Sequence, residues 1–314
     1  MAPVRIIGPD DLPAAGGAAV VTIGVFDGVH AGHQAVIGAA VAEARQAGLP
    51  VVLVTFDRHP LSVTHPERSP DLLTTLDEKI SLLRGLGLDA IFIEPFDRRT
   101  ALTGYHDYIE SRLIGSLRMR RLVVGYDFHL GRGREGGSEA LALEGRRKGF
   151  GVTIVPPVVI EGTAVSSTRI RRDVLERRLG RAARFLTRPY FFDADVTSGE
   201  GFGRELGFPT ANACVAHGEK LVPPGGVYAV LIESPAGLHG GMMNVGSAPT
   251  VRCDGRMTIE VHLFDFEGDL YGSRLRVHCV EHIRDERRFD GPAELRAQLM
   301  RDRETASRIL EKKR

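Results

Sequence analysis

Two rhythms of apolar and polar positions divide the chain. Up to about position 186, short apolar runs alternate with amphipathic stretches. Strands are predicted at 20–25, 51–56, 90–94, 122–125 and 152–158, and helices at 34–46, 77–86, 105–117, 138–148 and 167–179. Val36, Ile37, Ala40, Val41 and Ala44 recur at helical spacing, and Gly48 follows as a C-terminal stop. The run Val51-Val52-Leu53-Val54 has no polar alternation, as expected of a strand covered on both faces. This grammar predicts a Rossmann-like, doubly wound parallel sheet.

After Arg188-Pro189-Tyr190 the spacing tightens. Strand patterns fall at 191–196, 226–232, 238–246, 258–266 and 274–283, and Glu267-Gly268-Asp269 is expected to connect a hairpin. A small antiparallel β-barrel is predicted, followed by one helix over 293–312 through Leu295, Leu299, Ala306, Ile309 and Leu310. The expected domains are 1–186 and 187–314. The length of 314 residues agrees with two domains of about 150 residues each.

Composition narrows the function class. Hydrophobic content of 43% with 26% charged residues is ordinary for globular domains. A formal net charge of +1 supplies no basic field for nucleic acid or a membrane surface, so neither is an expected partner. Cys214, Cys253 and Cys279 are odd in number and far apart, so neither a disulfide framework nor a metal knuckle is expected, and a reducing cytoplasm is the expected compartment. Positions 1–13 lack a signal-peptide pattern, and no apolar run reaches the ~18 residues of a membrane span.

The first candidate chemistry is Gly24-Val25-Phe26-Asp27-Gly28-Val29-His30-Ala31-Gly32-His33, a glycine-rich turn between a predicted strand and a helix. Helix starts bind anions, and imidazoles three residues apart can face the same phosphates. An arbitrary pair of this kind would cap a turn or hold a metal, but no further ligand lies close enough to complete a zinc set. Three more segments sit at strand ends or a helix start: His59 in Thr55–Pro60, Asp127 in the run 125–134, and Ser166-Ser167-Thr168-Arg169. Open α/β sheets bind ligands beyond the carboxyl edge, so these could converge on one nucleotide. Each also has an ordinary reading, as turn, cap or solvated helix face. Gly131, Gly133 and Gly136 spell a dinucleotide fingerprint, but they trail their strand and are rich in arginine, so a mobile phosphate-contacting loop is expected there.

The second half contains no P-loop. Its glycine turn, with Gly201, Gly203 and Arg204, could bring backbone amides to phosphates. Thr210 and Asn212 offer hard oxygens suited to Mg²⁺. Glu260 falls on the opposite strand face from Ile259, Val261 and Leu263, where without context it reads as a solvated glutamate.

Taken in order, G-V-F-D-G-V-H-A-G-H-Q, T-F-D-R-H-P, G-Y-D-F-H-L-G-R-G-R, S-S-T-R-I-R, G-F-P-T-A-N and the stretch around Glu260 resemble the bifunctional riboflavin kinase/FAD synthetase family of bacteria over nearly the whole chain. The resemblance implies an N-terminal FMN adenylyltransferase and a C-terminal riboflavin kinase barrel, using riboflavin, FMN and ATP with Mg²⁺ and giving FMN and FAD. It implies catalytic roles for His30, His33, Arg169 and Glu260. It also implies nucleotide contacts from Gly24, Phe26, Asp27, Gly28, His59, Asp127, Ser166, Ser167, Thr168, Gly201, Gly203 and Arg204. Metal ligation falls to Thr210 and Asn212, and flavin contacts to Asn244, Gly246, Pro249 and Thr250. Arg58, Leu130, Phe202, Ala248 and Val251 depart from the family's pattern without removing a catalytic group. A monomer or weak homo-oligomer is expected. The alternatives are a chain with one active module, a non-catalytic flavin or nucleotide binder, and adenylyl or cytidylyl transfer to another phosphate.

Overall fold

Strands with no polar alternation need cover on both faces, and the first half of the chain supplies it. The computed structural model describes residues 4–8, 17–197, 207–215, 219–246 and 258–313. Contacts divide it into two units, Met1–Ser167 and Thr168–Arg314.

The first unit holds β1 (Arg5–Ile7), β2 (Ala19–Ile23), β3 (Val51–Phe56), β4 (Ala90–Glu94), β5 (Met119–Gly125) and β6 (Gly151–Val155). They form one parallel sheet in the order β1-β4-β3-β2-β5-β6. Every residue of β2 and β3 is buried, and apolar clusters line both faces of the sheet. From β2 the chain runs outward through β3 to β4, then crosses to β5 on the other side of β2. That reversal opens a crevice at the carboxyl ends of β2 and β5, where such sheets bind ligands.

Helix α1 (Ala31–Ala47) buries the five predicted apolar residues and stops at Gly48, whose φ of 64° suits glycine. Next come α2 (Pro60–Thr64), α3 (Leu76–Leu83), α4 (Arg98–Leu102) and α5 (Tyr105–Tyr108). The helix expected over 105–117 is α-helical only to Tyr108 and continues as a π-helix over Ile109–Ser116. There the Leu117 N–H donates to the Arg112 carbonyl, five residues back, at 3.0 Å. Gly115 permits the wider turn, because a Cβ on it would stand 3.0 Å from the Glu110 carbonyl. Helix α6 (Ser138–Lys148) and the small hairpin of β7 (Val159–Ile160) and β8 (Thr163–Ala164) complete the unit. Beyond them α7 (Ser167–Leu175) ends earlier than expected, and α8 (Leu179–Leu186), which was not predicted, follows it.

The second unit is a closed antiparallel barrel of β9 (Tyr190–Thr197), β10 (Ala211–Cys214), β11 (Gly226–Ser234), β12 (Gly237–Gly246), β13 (Thr258–Leu263) and β14 (Arg274–Arg284), ordered β10-β13-β12-β11-β14-β9. Strand β10 escapes prediction because Ala-Asn-Ala-Cys lacks the β-branched and aromatic residues that signal a strand. The expected hairpin at Glu267–Asp269 is corrected. β13 pairs with β10 and β12, whereas β14 pairs with β11 and β9. The segment after Leu263 instead reaches β9, where Gly272 N–H donates to the Val196 carbonyl at 3.1 Å. One cysteine expectation is overturned. Cys214 is disulfide-bonded. Cys279 stays a free thiol whose complete burial pushes its pKa up to about 12.

Helix α9 (Pro292–Glu311) lies on the outside of the barrel. Ala306 and Leu310 pack with Phe208, Ala229, Met242, Phe264 and Val280. The helix is pinned by Asp302, 1% exposed, which accepts from the Arg284 guanidinium at 2.8–3.1 Å and from Gln298 at 2.7 Å.

Candidate active sites

In the first unit the chain leaves β2 through a turn that ordinary residues resist. Phe26 (φ 51°), Gly28 (φ 85°) and Val29 (φ 40°) all adopt left-handed backbone, which for a β-branched valine is a strained state. The surroundings enforce it. Buried Asp27 accepts from the backbone N–H groups of Leu73 (3.1 Å) and Thr74 (2.9 Å) and from the Thr74 hydroxyl (3.2 Å), while Gly28 N–H donates to Thr74 Oγ1 at 3.0 Å. Asp27 is thus engaged in holding the turn. Ser167 Oγ donates to the Asp27 carbonyl at 2.9 Å, which brings the start of α7 to the same turn.

His30 caps α1, accepting the His33 N–H on Nδ1 at 3.3 Å. An accepting Nδ1 leaves the proton on Nε2 in the neutral ring. The two imidazoles stack with centroids 3.6 Å apart, and Phe26 meets His33 edge-on at 5.3 Å. The spacing therefore delivers two parallel rings at a helix N-terminus and at the crevice. Gly24 opens this turn, and Ser166 immediately precedes the serine that binds it. His59 caps α2 through an Nδ1 that accepts the Leu61 N–H at 3.2 Å, at the carboxyl end of β3. Asp127 is exposed just past β5. Thr168 and Arg169 are exposed on the first turn of α7 and belong to the second unit.

The arginine-rich loop closes on itself as a turn. Leu130 and Gly136 exchange backbone hydrogen bonds at 2.9 Å, and Cβ atoms on Gly131 or Gly136 would collide with Tyr105. Leu130, where the family's pattern has an aromatic, is buried in the core.

In the barrel, register assembles the second site. Asn212 lies opposite Glu260 across β10 and β13, and Asn244 lies opposite Glu260 across β13 and β12. Thr210 lies immediately before β10, two positions from Asn212. Met242, two positions before Asn244, packs under α9, so this polar row is on the outer face of the barrel at the edge of that apolar cover. Glu260 is half-buried, and desolvation holds its carboxyl above the usual range. His262, on the same face, donates from Nδ1 to the Pro209 carbonyl at 2.7 Å and fixes the backbone just before Thr210. Burial lowers the pKa of this ring. The Thr210 hydroxyl and the Asn212 amide oxygen are hard donors of the kind that fits Mg²⁺. Among the described residues no cluster of three His, Cys, Asp or Glu side chains suits a metal. Gly246 lies on the same barrel edge as Asn244, while Gly201, Gly203, Arg204, Pro249 and Thr250 fall outside the described residues.

Two side chains at these sites escaped the sequence reading. Lys79 is 6% exposed and donates to the carbonyls of Val25 (3.2 Å) and Phe56 (3.0 Å) at the ends of β2 and β3. Glu286 lies against Gly246, where an added Cβ would stand 2.8 Å from Glu286 Oε1 and 3.4 Å from Asn244 Nδ2. Neither belongs to a motif. Only an apolar-patterned helix carrying a buried-side lysine could have hinted at the first.

Comparison with known proteins also finds two parts. Residues 13–169 match the FAD synthetase family model and residues 186–310 the riboflavin kinase model. The bifunctional riboflavin kinase/FMN adenylyltransferase of Escherichia coli (strain K12) is 38% identical over 291 residues, 91% of each chain. That of Bacillus subtilis (strain 168) is 35% identical over 294 residues, 92% of each. A solved structure described as a macrolide-efflux protein from Streptococcus pneumoniae superposes with a TM-score of 0.86 at 30% identity, covering 97% of this chain and 99% of the other. Among the described residues, no helix here is long and apolar enough to cross a membrane. With both family models matched in order and whole-length relatives that carry both activities, this chain belongs to the bifunctional riboflavin kinase/FMN adenylyltransferase family.

Proposed function

We propose that the chain phosphorylates riboflavin to FMN and then adenylylates FMN to FAD, each step using one ATP. The observation that carries this reading is the pair of separate polar constellations, stacked His30 and His33 on one unit and the row Asn212, Glu260, Asn244 on the other. We assign adenylyl transfer to 1–186 and the kinase to 187–314.

In the kinase step Glu260 accepts the proton of the terminal ribityl hydroxyl as that oxygen attacks the γ-phosphorus, and ADP leaves. Desolvation favours this role, because a raised carboxyl pKa makes a better base near neutrality. Thr210 and Asn212 would hold Mg²⁺, which supplies charge neutralisation on the phosphates. Asn244, Gly246, Pro249 and Thr250 contact the flavin, and Gly201, Gly203 and Arg204 the ATP of this step.

In the second step an FMN phosphate oxygen attacks the α-phosphorus of ATP and pyrophosphate leaves. The nucleophile is already anionic, so placement and charge stabilisation dominate. His30, His33 and Arg169 stabilise the triphosphate and departing pyrophosphate. Gly24, Phe26, Asp27, Gly28, His59, Asp127, Ser166, Ser167 and Thr168 shape the nucleotide pocket, Asp27 by holding the turn.

The protein acts on small molecules, as a monomer or weak homo-oligomer in the cytoplasm. Incubation with riboflavin, ATP and Mg²⁺, with products separated over time, tests the reading. FMN is expected to appear first and FAD to follow. Formation of neither product overturns it.

A further inference from the structure

Lys79 joins the two loops that carry the first unit's site residues. Val25, whose carbonyl it holds, enters the strained turn to His30, and Phe56, whose carbonyl it also holds, leads through Asp57 and Arg58 to His59. Helix α3, which bears Lys79, is itself fixed to that turn. Its leading segment binds Asp27 through Leu73 and Thr74, and Thr75 and Glu78 close a capping box at its start. Asp27 to Thr74, along α3 to Lys79, and back to Val25 is therefore a closed circuit of bonds around the turn.

A structural donor at this place need not be charged. Thr55 Oγ1 already donates to the Val25 carbonyl at 3.1 Å, as a neutral group. The ammonium is instead desolvated, a cost that a neutral donor would not carry. A buried charge at the carboxyl edge of the sheet, kept where a neutral donor would suffice, points to a role toward an anionic ligand.

We propose that Lys79 is a positioning residue for adenylyl transfer: its ammonium fastens the 24–30 turn to the 56–59 loop and sets a fixed positive charge at the sheet edge that holds the triphosphate. This rests on the reading of the first unit as the adenylyltransferase. The groups that face Lys79 are Asp27 from the β2–α1 turn and Asp57 from the β3–α2 segment, both favouring the charged form, whereas burial outweighs them and lowers its pKa to about 8. On its own helix the Glu78 carboxylate is engaged by the Thr75 N–H at 2.8 Å.

The test uses the full chain, with FMN and ATP assayed for FAD and riboflavin phosphorylation followed in the same preparations. Lys79→Met is expected to lower kcat for FAD formation about 10²-fold, the scale of an ångström-sized misplacement, and to raise KM for ATP as the charge that holds the triphosphate is lost. Lys79→Arg should restore part of that loss, and riboflavin phosphorylation should match wild type in both. Wild-type kcat for FAD formation should fall as pH rises through about 8, while the stability of the first unit does not fall. The sign differs because folding depresses this lysine's pKa from its unfolded value near 10.4, so its deprotonation between those values adds stability with rising pH. FAD formation by Lys79→Met within about threefold of wild type, or a wild-type kcat flat across that pH range, would overturn the proposal. Should Lys79→Met not fold, the wild-type profile and Lys79→Arg decide. Wild-type protein that makes FMN but no FAD would instead overturn the adenylyltransferase reading itself.

Discussion

Glu260 and the paired histidines show how little a residue type says without its neighbours. A glutamate on a strand face is ordinary, but this one is half-desolvated between two asparagines in register. As the proposed base, it predicts that Glu260→Gln lowers FMN formation by about 10²–10⁴-fold. FAD formation from supplied FMN should be unchanged, as read in separate assays of the two steps. The converse variant, His30→Ala with His33→Ala, should abolish FAD formation and leave FMN formation nearly intact. Comparable loss of both activities in either folded variant would contradict two separate sites. His30 and His33 were legible because strand, glycine turn and helix start are local features. Lys79 was not, because its partners lie 54 and 23 residues away.

Among the elements, α9 depends on one ionic contact as well as on its apolar face. Asp302 is buried and takes both Arg284 and Gln298, so Asp302→Ala leaves a guanidinium facing a void. Removing one partner of a buried pair typically costs about 3 kcal/mol, which should appear as a lower unfolding temperature of the barrel. Because the Glu260 row lies at the edge of the face that α9 covers, FMN formation should weaken, whereas FAD formation from FMN should persist. Helices α1 and α6 and strands β11 to β14 follow the sequence pattern to within a few residues, since their periodicity is long. The four residues of β10 and the π-turn after Tyr108 do not, because one carries no strand signal and the other keeps a helical apolar spacing while changing its hydrogen bonds.

For the whole molecule, two units with separate chemistries imply that each can work without the other's activity. Mixing the Glu260→Gln protein with the His30→Ala/His33→Ala protein should restore conversion of riboflavin to FAD, after a lag while FMN accumulates in solution. Product chromatography over time checks this, and an absence of FAD from the mixture would mean that FMN must pass within one chain. By itself the sequence determined the two rhythms, the order of the motifs and hence the pairing of a parallel sheet with a small barrel, because burial periodicity and turn chemistry are written locally. Only the tertiary structure decided that β13 and β14 lie apart, that Asn212 and Asn244 flank Glu260, and that a lysine from α3 closes on the β2 turn. Those relations are set by sheet closure and by where buried donors find acceptors, which depend on the whole chain at once.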